Sequence, residues 1–247
     1  FGVLPGVWLL NDEDKRIEYL KTQVDRTYLI DLIERYNLKN ETIAKQMLSV
    51  LSSTVGSYFS TKNITNLYKK EEVKVTKNTI DKYLIHFEEA FIIKKANRFD
   101  IKGKKYIKYL AKYYFTDNGV RNTFIDFRQQ NEKSHLLESI VFNELIRRNF
   151  KVDVGNLFVN EQHKRIMLEI DFIPYKLNKK YYIQVTETVF TEEKNKQECS
   201  PFMKCNGGFK KIIINLSPVL KPYYDENGIL IMDIYFFLLH NDSLDRY

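Results

Sequence analysis

The stretch that most restricts what this chain can fold into is SHLLESIVFNELIRRNF, residues 134–150, together with the three apolar runs behind it. Leu136, Leu137, Ile140, Val141, Leu145 and Ile146 recur at helical spacing and predict a helix with a broad apolar face. KVDVGNLFV, RIMLEIDFIPY and KYYIQVTETVF then read as strands rich in β-branched and aromatic residues, with KLNKK closing a tight hairpin between the last two. A helix around EEKNKQECSPFMK, a strand FKKIIINLS and a terminal element IMDIYFFLLH follow. No one of these elements can bury its apolar face alone. The order helix, three strands, helix, strand therefore predicts an α/β domain over residues 119–247, with helices covering a mixed sheet.

Two further segments precede it, as a length of 247 residues leads one to expect. Residues 1–59 read as helical. NDEDK supplies a cap and first-turn acids before Ile17, Leu20 and Val24; a second helix runs through LIDLIERY and a third through ETIAKQMLSVLSSTVG, with Gly56 as a stop. Residues 60–118 have another layout. Ser60 caps a helix through Ile64, Leu67 and Tyr68, and Thr76 caps one carrying Ile80, Tyr83, Leu84, Phe87 and Phe91. The strands FIIKKANRF and KYIKYLAKYYF come next, joined by DIKGK, where Gly103 suits a tight turn. Helix, turn, helix, hairpin is the order of a winged helix. The fold class is thus α+β or α/β, a helical and winged-helix segment followed by a mixed sheet flanked by helices.

Two sets of side chains carry chemical interest. Glu169 and Asp171 stand two apart on one predicted strand and point together, and a hairpin at KLNKK puts Gln184 opposite Asp171 and Thr186 opposite Glu169. Mg²⁺ or Mn²⁺ takes oxygen ligands, so Asp171 with a carboxylate from a packed helix could hold one. Glu138, beside the apolar Leu136 and Leu137, is the helical candidate, and His135 lies three residues before it. Hydrolytic sites of this kind add a lysine to orient water. The matching slot here is Thr186, whose neutral hydroxyl cannot supply that charge. The plain alternative is a sheet edge whose acids face water.

The second set is basic. Lys77, Asn78 and Lys82 lie near the start of the second winged-helix helix, where a recognition helix meets bases and phosphates, and Lys102, Lys104 and Lys105 crowd the hairpin turn. A net charge of +7 and a pI near 9.1 favour an acidic partner such as DNA. Glu88 and Glu89 dilute the charge at the helix end, and a winged helix that docks a protein would carry a similar pattern. No G-x-x-x-x-G-K-[ST] or G-x-G-x-x-G loop is present to cradle a nucleotide. His86, His135, His163 and His240 are scattered, and no Ser/His/Asp or Cys/His set is suggested. Cys199 and Cys205 read as two free thiols of a reducing compartment. No run reaches the roughly 18 apolar residues of a membrane span, and no basic leader precedes the first apolar stretch, so a cytoplasmic location is expected. The start at Phe1 suggests a piece of a longer chain.

The succession TYLIDLIERYNLKN, VTKNTIDKYLIHFEEAFIIKKANRFDIKGKKYI, KYYFTDNGVRN, HLLESIVFNELIRRNFKVDVG, EIDFI and YYIQV resembles, block by block, the C-terminal region of a widespread prokaryotic group of AAA-type ATPases, catalogued as a domain of unknown function. The likeness covers nearly the whole chain. It implies a missing N-terminal ATPase module that binds ATP and is this region's partner within one protein, then a winged helix, then a domain similar to the PD-(D/E)XK restriction-endonuclease fold. The nuclease-like pattern maps onto Glu138 as helical acid, Asp171 as central acid, and Gln184 with Thr186 in place of the acid-x-lysine pair. The family's arginine before the aspartate of its first block is Ile30 here, before Asp31. Three functions follow as expectations. One is a DNA-associated region with a degenerate nuclease-like domain. Another is an active Mg²⁺ or Mn²⁺ nuclease, with Glu138 and Asp171 as ligands, Gln184 giving a neutral oxygen, and Glu169 or the out-of-phase Glu187 compensating. The third is a protein-interaction module without enzymatic activity. The sequence is compatible with an oligomer.

Overall fold

The computed structural model describes residues 1–247 apart from Lys39, Glu71, 128–132, 162–163, 189–191 and 206–207; His163 lies outside the described residues. The chain forms two units. Phe1–Lys95 with Leu110–Glu132 make the first, and Ala96–Tyr109 with Lys133–Tyr247 the second. The division cuts across the β-hairpin, whose tip counts with the second unit, while residues 119–132 stay with the first.

In the first unit α1 spans Glu13–Gln23, and the Asp12 carboxylate accepts from the Lys15 N–H at 2.9 Å as its N-cap. The expected break before LIDLIERY is absent. A π-helical turn, Val24–Leu29, carries α1 straight into α2, Ile30–Tyr36, and this wider winding keeps Leu20, Val24, Leu29 and Leu32 all buried. Asn37, at φ 48°, ends α2. Helix α3, Glu41–Ser53, is capped by Asn40 and buries Ile43, Ala44, Met47, Leu48 and Leu51 at three- and four-residue spacing. It stops at Ser53, ahead of Gly56. Helix α4, Thr61–Lys70, buries Ile64 and Tyr68 but leaves Leu67 exposed. Helix α5, Lys77–Glu89, begins at Thr76 as expected and buries Ile80, Tyr83, Leu84 and Phe87. Phe91, expected on the same face, sits beyond the helix end at φ 57° with its ring exposed. The TDNGVRN stretch is a short helix, α6, Asn118–Thr123, where Arg121 is buried and donates to the Ser52 carbonyl at 2.7 Å.

The second unit is built on an eight-stranded mixed sheet. The strands are β1 Ile93–Asp100 and β2 Lys105–Phe115, of which residues 96–109 belong here, then β3 Lys151–Glu161, β4 Lys164–Lys176, β5 Lys179–Thr186, β6 Lys210–Asn215, β7 Tyr223–Tyr224 and β8 Leu230–Asp233. Their order is β2-β1-β3-β4-β5-β6-β8-β7. β4 runs antiparallel to both β3 and β5, and β5, β6 and β8 run parallel. The expected mixed sheet is present. IMDIYFFLLH, read as one element, divides at Asp233, which ends β8 and caps α9, Ile234–Leu239, by accepting from the Phe236 N–H at 2.7 Å. In the β1–β2 turn the left-handed residue is Lys104 (φ 49°). Gly103 instead donates its N–H to Asp100 at 2.9 Å, and a Cβ there would lie 2.5 Å from that carboxylate.

Helices α7, Lys133–Arg147, and α8, Glu192–Met203, belong to this unit. The buried face of α7 is turned relative to expectation: Leu137, Val141, Phe142 and Leu145 are covered along with Glu138, Ser139 and Glu144, while Ile140 is exposed. Cys199 and Phe202 of α8 pack into a core with Ile170, Ile173, Tyr182, Ile213 and Ile231 of the sheet. Between β3 and β4 the register slips. Asp153 pairs with Ile173 but Gly155 with Ile170, so β4 carries one extra residue, and Asp171 with Phe172 form the bulge.

Candidate functional site

The bulge decides where Asp171 goes. On either side of it Ile170 and Ile173 both enter the α8-side core, and within it Phe172 turns to α7, its ring 5.8 Å from that of Phe142. Lys176 Nζ donates to the Arg148 carbonyl at 2.9 Å, which ties the end of α7 to the end of β4. The Glu138 and Asp171 side chains are each 7 % exposed.

The β4–β5 register pairs Phe172 with Ile183, which puts Gln184 opposite Asp171 as the sequence predicted. At the bulge, side chains bridge the two strands. Val185 N–H donates to Asp171 Oδ2 at 2.8 Å, and Gln184 Oε1 accepts from the Asp171 N–H at 3.4 Å. Tyr182 packs in the α8-side core, so alternation along β5 turns Gln184 and Thr186 to that side rather than toward α7. Thr186 is 1 % exposed and its hydroxyl donates to the Thr188 carbonyl at 3.2 Å. The structure buries Glu138 and Asp171 and binds Gln184 to the backbone of Asp171, while Thr186 turns to the α8 side of the sheet. Glu169 is half-buried opposite Asn156, and Glu187 is exposed. His135 Nδ1 lies 3.6 Å from Glu138 Oε1.

Among the described residues no three His, Cys, Asp or Glu side chains assemble as a metal site. Gln184 Oε1 and Asp171 Oδ2 each accept a backbone N–H, which leaves the carboxylates of Glu138 and Asp171 as a thin donor set for a divalent cation. Sequence reasoning missed Arg98, which is 7 % exposed and donates from Nε to Asn156 Oδ1 at 2.7 Å, next to the Asn156–Glu169 pair. Its signal was alternation with the buried Ala96 on β1. Of the basic set, Lys77, Asn78 and Lys82 are exposed on α5 in the first unit, and Lys102, Lys104 and Lys105 are exposed at the hairpin tip in the second. Both cysteines are buried and form no disulfide, and burial pushes Cys199 up to about 11. His86 stacks on Tyr36 and His240 on Phe236, as packing side chains do. No helix among the described residues is long and apolar enough to cross a membrane.

The family described as "Domain of unknown function (DUF8612)" matches residues 1–131. An uncharacterized protein of Haemophilus influenzae is 34% identical over 229 residues, covering 93% of this chain and 53% of its own length. Uncharacterized protein MJ1544 of Methanocaldococcus jannaschii is 33% identical over 226 residues, 92% of this chain and 48% of its own length. The chain thus spans about half the length of these curated relatives. A crystal structure of protein VC1899 from Vibrio cholerae aligns over 93% of this chain and 55% of that one, with 11% identity and a TM-score of 0.29.

Proposed function

This chain belongs to the family of the domain of unknown function DUF8612, and we propose that it holds DNA without cutting it, as the C-terminal region of an AAA-type ATPase working in the cytoplasm. In this reading α4, α5 and the hairpin form a winged helix, and the second unit is a restriction-endonuclease-like domain that has lost its chemistry. The observation that carries it is the state of the acid-x-lysine positions. Gln184 is committed to the Asp171 backbone, and Thr186 is buried with its hydroxyl given to Thr188. Neither residue supplies the negative ligand or the positive charge that water activation on a phosphate needs. A buried carboxylate on α7, Glu138, and another on β4, Asp171, support the kinship. The exposed lysines at the start of α5 and at the hairpin tip, with the net charge of +7, support a polyanionic partner.

Duplex binding is followed by fluorescence anisotropy between about 50 and 200 mM salt, where counterion release makes affinity fall steeply. Absence of any duplex binding at low salt sinks the proposal. The residual nuclease reading, with Glu138 and Asp171 holding Mg²⁺ or Mn²⁺, is tested by incubating supercoiled plasmid with Mn²⁺ and comparing the chain with Asp171→Ala. Cleavage lost in the variant restores that reading, and equal products from both exclude it.

A further inference from the structure

A second place in the second unit is better built for a ligand than the carboxylate pair, and it lies at the far end of β4. A cavity of about 420 Å³ opens between the tip of the β1–β2 hairpin, the start of β3 and the β4–β5 turn. Its size is that of a small-molecule site, with room for one base and its sugar rather than a duplex. The walls are aromatic: Phe99, Tyr106, Tyr175 and Phe209 line it, and Tyr106 and Phe209 are nearly half exposed.

Asp153 is set among these rings and is 2 % exposed. One of its oxygens, Oδ2, accepts from the Tyr106 hydroxyl at 2.9 Å, and that hydroxyl is 3.2 Å from the Tyr175 hydroxyl. The other, Oδ1, has no hydrogen-bond partner among the described residues although it is buried. A buried acceptor without a donor is costly, and native structures keep one mostly where something else supplies the hydrogen. Burial raises the Asp153 pKa, opposed by the Tyr106 hydroxyl and by the charges of Lys151 and Lys180. Cations surround the site. Lys180 Nζ stands 5.0 Å from the Phe99 ring centre and 4.9 Å from that of Phe209, and Lys151 Nζ stands 5.4 Å from both Tyr106 and Tyr175. Lys180 is near enough to the exposed Lys104 of the hairpin tip to feel its like charge.

We propose that this cavity receives a single nucleotide whose base carries an exocyclic amino group, the base lying against the aromatic rings, the amino group donating to Asp153 Oδ1, and the phosphate facing Lys180 and Lys104. Stacking accepts any base, since each has a π-face. The single free acceptor is what discriminates. Cytosine and adenine present one amino group at the edge, as carboxylates read them elsewhere. Thymine presents an N–H between two carbonyl oxygens, which would be driven against the carboxylate. The inference deepens the DNA-binding reading and rests on it only for the source of the nucleotide, a strand or the free pool.

The test is calorimetric titration of the whole chain at low salt with deoxycytidine monophosphate and thymidine monophosphate, and in parallel with oligo-dC and oligo-dT. The expected result is about tenfold tighter binding of the cytosine ligands, with that preference lost in Asp153→Asn. Phe209→Ala removes a half-exposed ring and is expected to weaken both bases alike by about tenfold, the scale of one base–aromatic stack. Preference in the mononucleotides identifies the free nucleotide as sufficient, and preference confined to the oligonucleotides identifies the strand as the source. Equal binding of the two bases, or binding of neither, overturns the proposal. Duplex binding that persists alongside such a result leaves the DNA-binding reading standing by itself.

Discussion

Replacing Glu144 with Gln should destabilise the second unit strongly at neutral pH and barely at acid pH. Glu144 and Arg148 are both buried, at 9 % and 8 % exposure. Arg148 Nε donates to Glu144 Oε1 at 2.6 Å, and Arg147 donates to both carboxylate oxygens at 2.7 Å. The Arg148 guanidinium also lies over the Phe237 ring, 4.4 Å from its centre, and donates to the Phe237 carbonyl and to Ser243 Oγ at 2.9 Å. This network ties the end of α7 to the C-terminal segment. Glu144→Gln keeps the shape and removes the counter-charge, and leaving a buried charge without its partner costs about 3–5 kcal/mol. The acceptors that remain to Arg148 put the expected loss near the lower figure. With urea m-values of about 1–3 kcal/mol/M, that is a midpoint lower by about 1–3 M. The pH dependence has a definite sign. Burial alone would raise the Glu144 pKa, but the hydrogen bonds and charges of Arg147 and Arg148 outweigh it and hold the group below its ordinary 4.5. A folded pKa below the unfolded one means that the stabilisation is complete above pH about 4.5 and is lost as pH falls through the folded value. Urea titrations of both proteins at pH 7 and near pH 3 decide the matter. A gap under about 1 kcal/mol at pH 7, or one undiminished in acid, would show that the pair does not act as described.

Gly155→Ala should cost about 1–3 kcal/mol by urea titration, although alanine is ordinarily the better strand residue, because its Cβ would lie 2.9 Å from Ile173 Cδ1 and 3.0 Å from Ile170 Cβ on either side of the bulge. A neutral or stabilised variant would mean that the bulge has room to spare. Cys199 and Cys205, buried and with thiol pKa values raised chiefly by burial, should react with iodoacetamide far more slowly in the native protein than in urea, as read by mass spectrometry. Equal rates would place them at the surface. Lys102→Gln, Lys104→Gln and Lys105→Gln combined should weaken duplex binding and flatten its log–log salt dependence by up to about 2.7, roughly 0.9 for each phosphate contact removed. An unchanged slope would move the DNA contact away from the hairpin tip.

The elements were legible where one physical signal decided them. Asp12 and Thr76 cap helices as their side chains suit, and the strand runs 151–161, 164–176 and 179–186 are marked by β-branched and aromatic residues. The misreadings arose where two signals competed. Leu67 and Phe91 fit an apolar period but fall outside the buried face, one through rotation and the other because the helix ends first. The two N-terminal helices looked separate because no 3.6-residue period joins Val24 to Leu29, and a π turn does. Pairing was legible within the KLNKK hairpin, where Gln184 falls opposite Asp171, but not between strands distant in sequence. Nothing local in KYIKYL or KVDVG announces that the hairpin tip and β3 share one sheet, so the cavity around Asp153 was beyond reach, though each of its residues was in plain view.

On the reading proposed above, the departure from an endonuclease pattern at Gln184 and Thr186 follows from what Asp171 requires. The bulge takes the Asp171 N–H out of the ordinary ladder and hands it to the side chain at 184, so that position must supply an acceptor oxygen. A glutamate would supply one, but it would also set a second negative charge beside a carboxylate that is already 93 % covered, and two such carboxylates cannot both stay ionised without a cation between them. A lysine at 186 could be that cation only if the acid at 184 were there to pair with it. Alone, it would be a buried charge without a partner. The acid and the lysine are therefore retained together or lost together. Glutamine with threonine is the neutral pair that keeps the hydrogen bond to the bulge and asks for no metal.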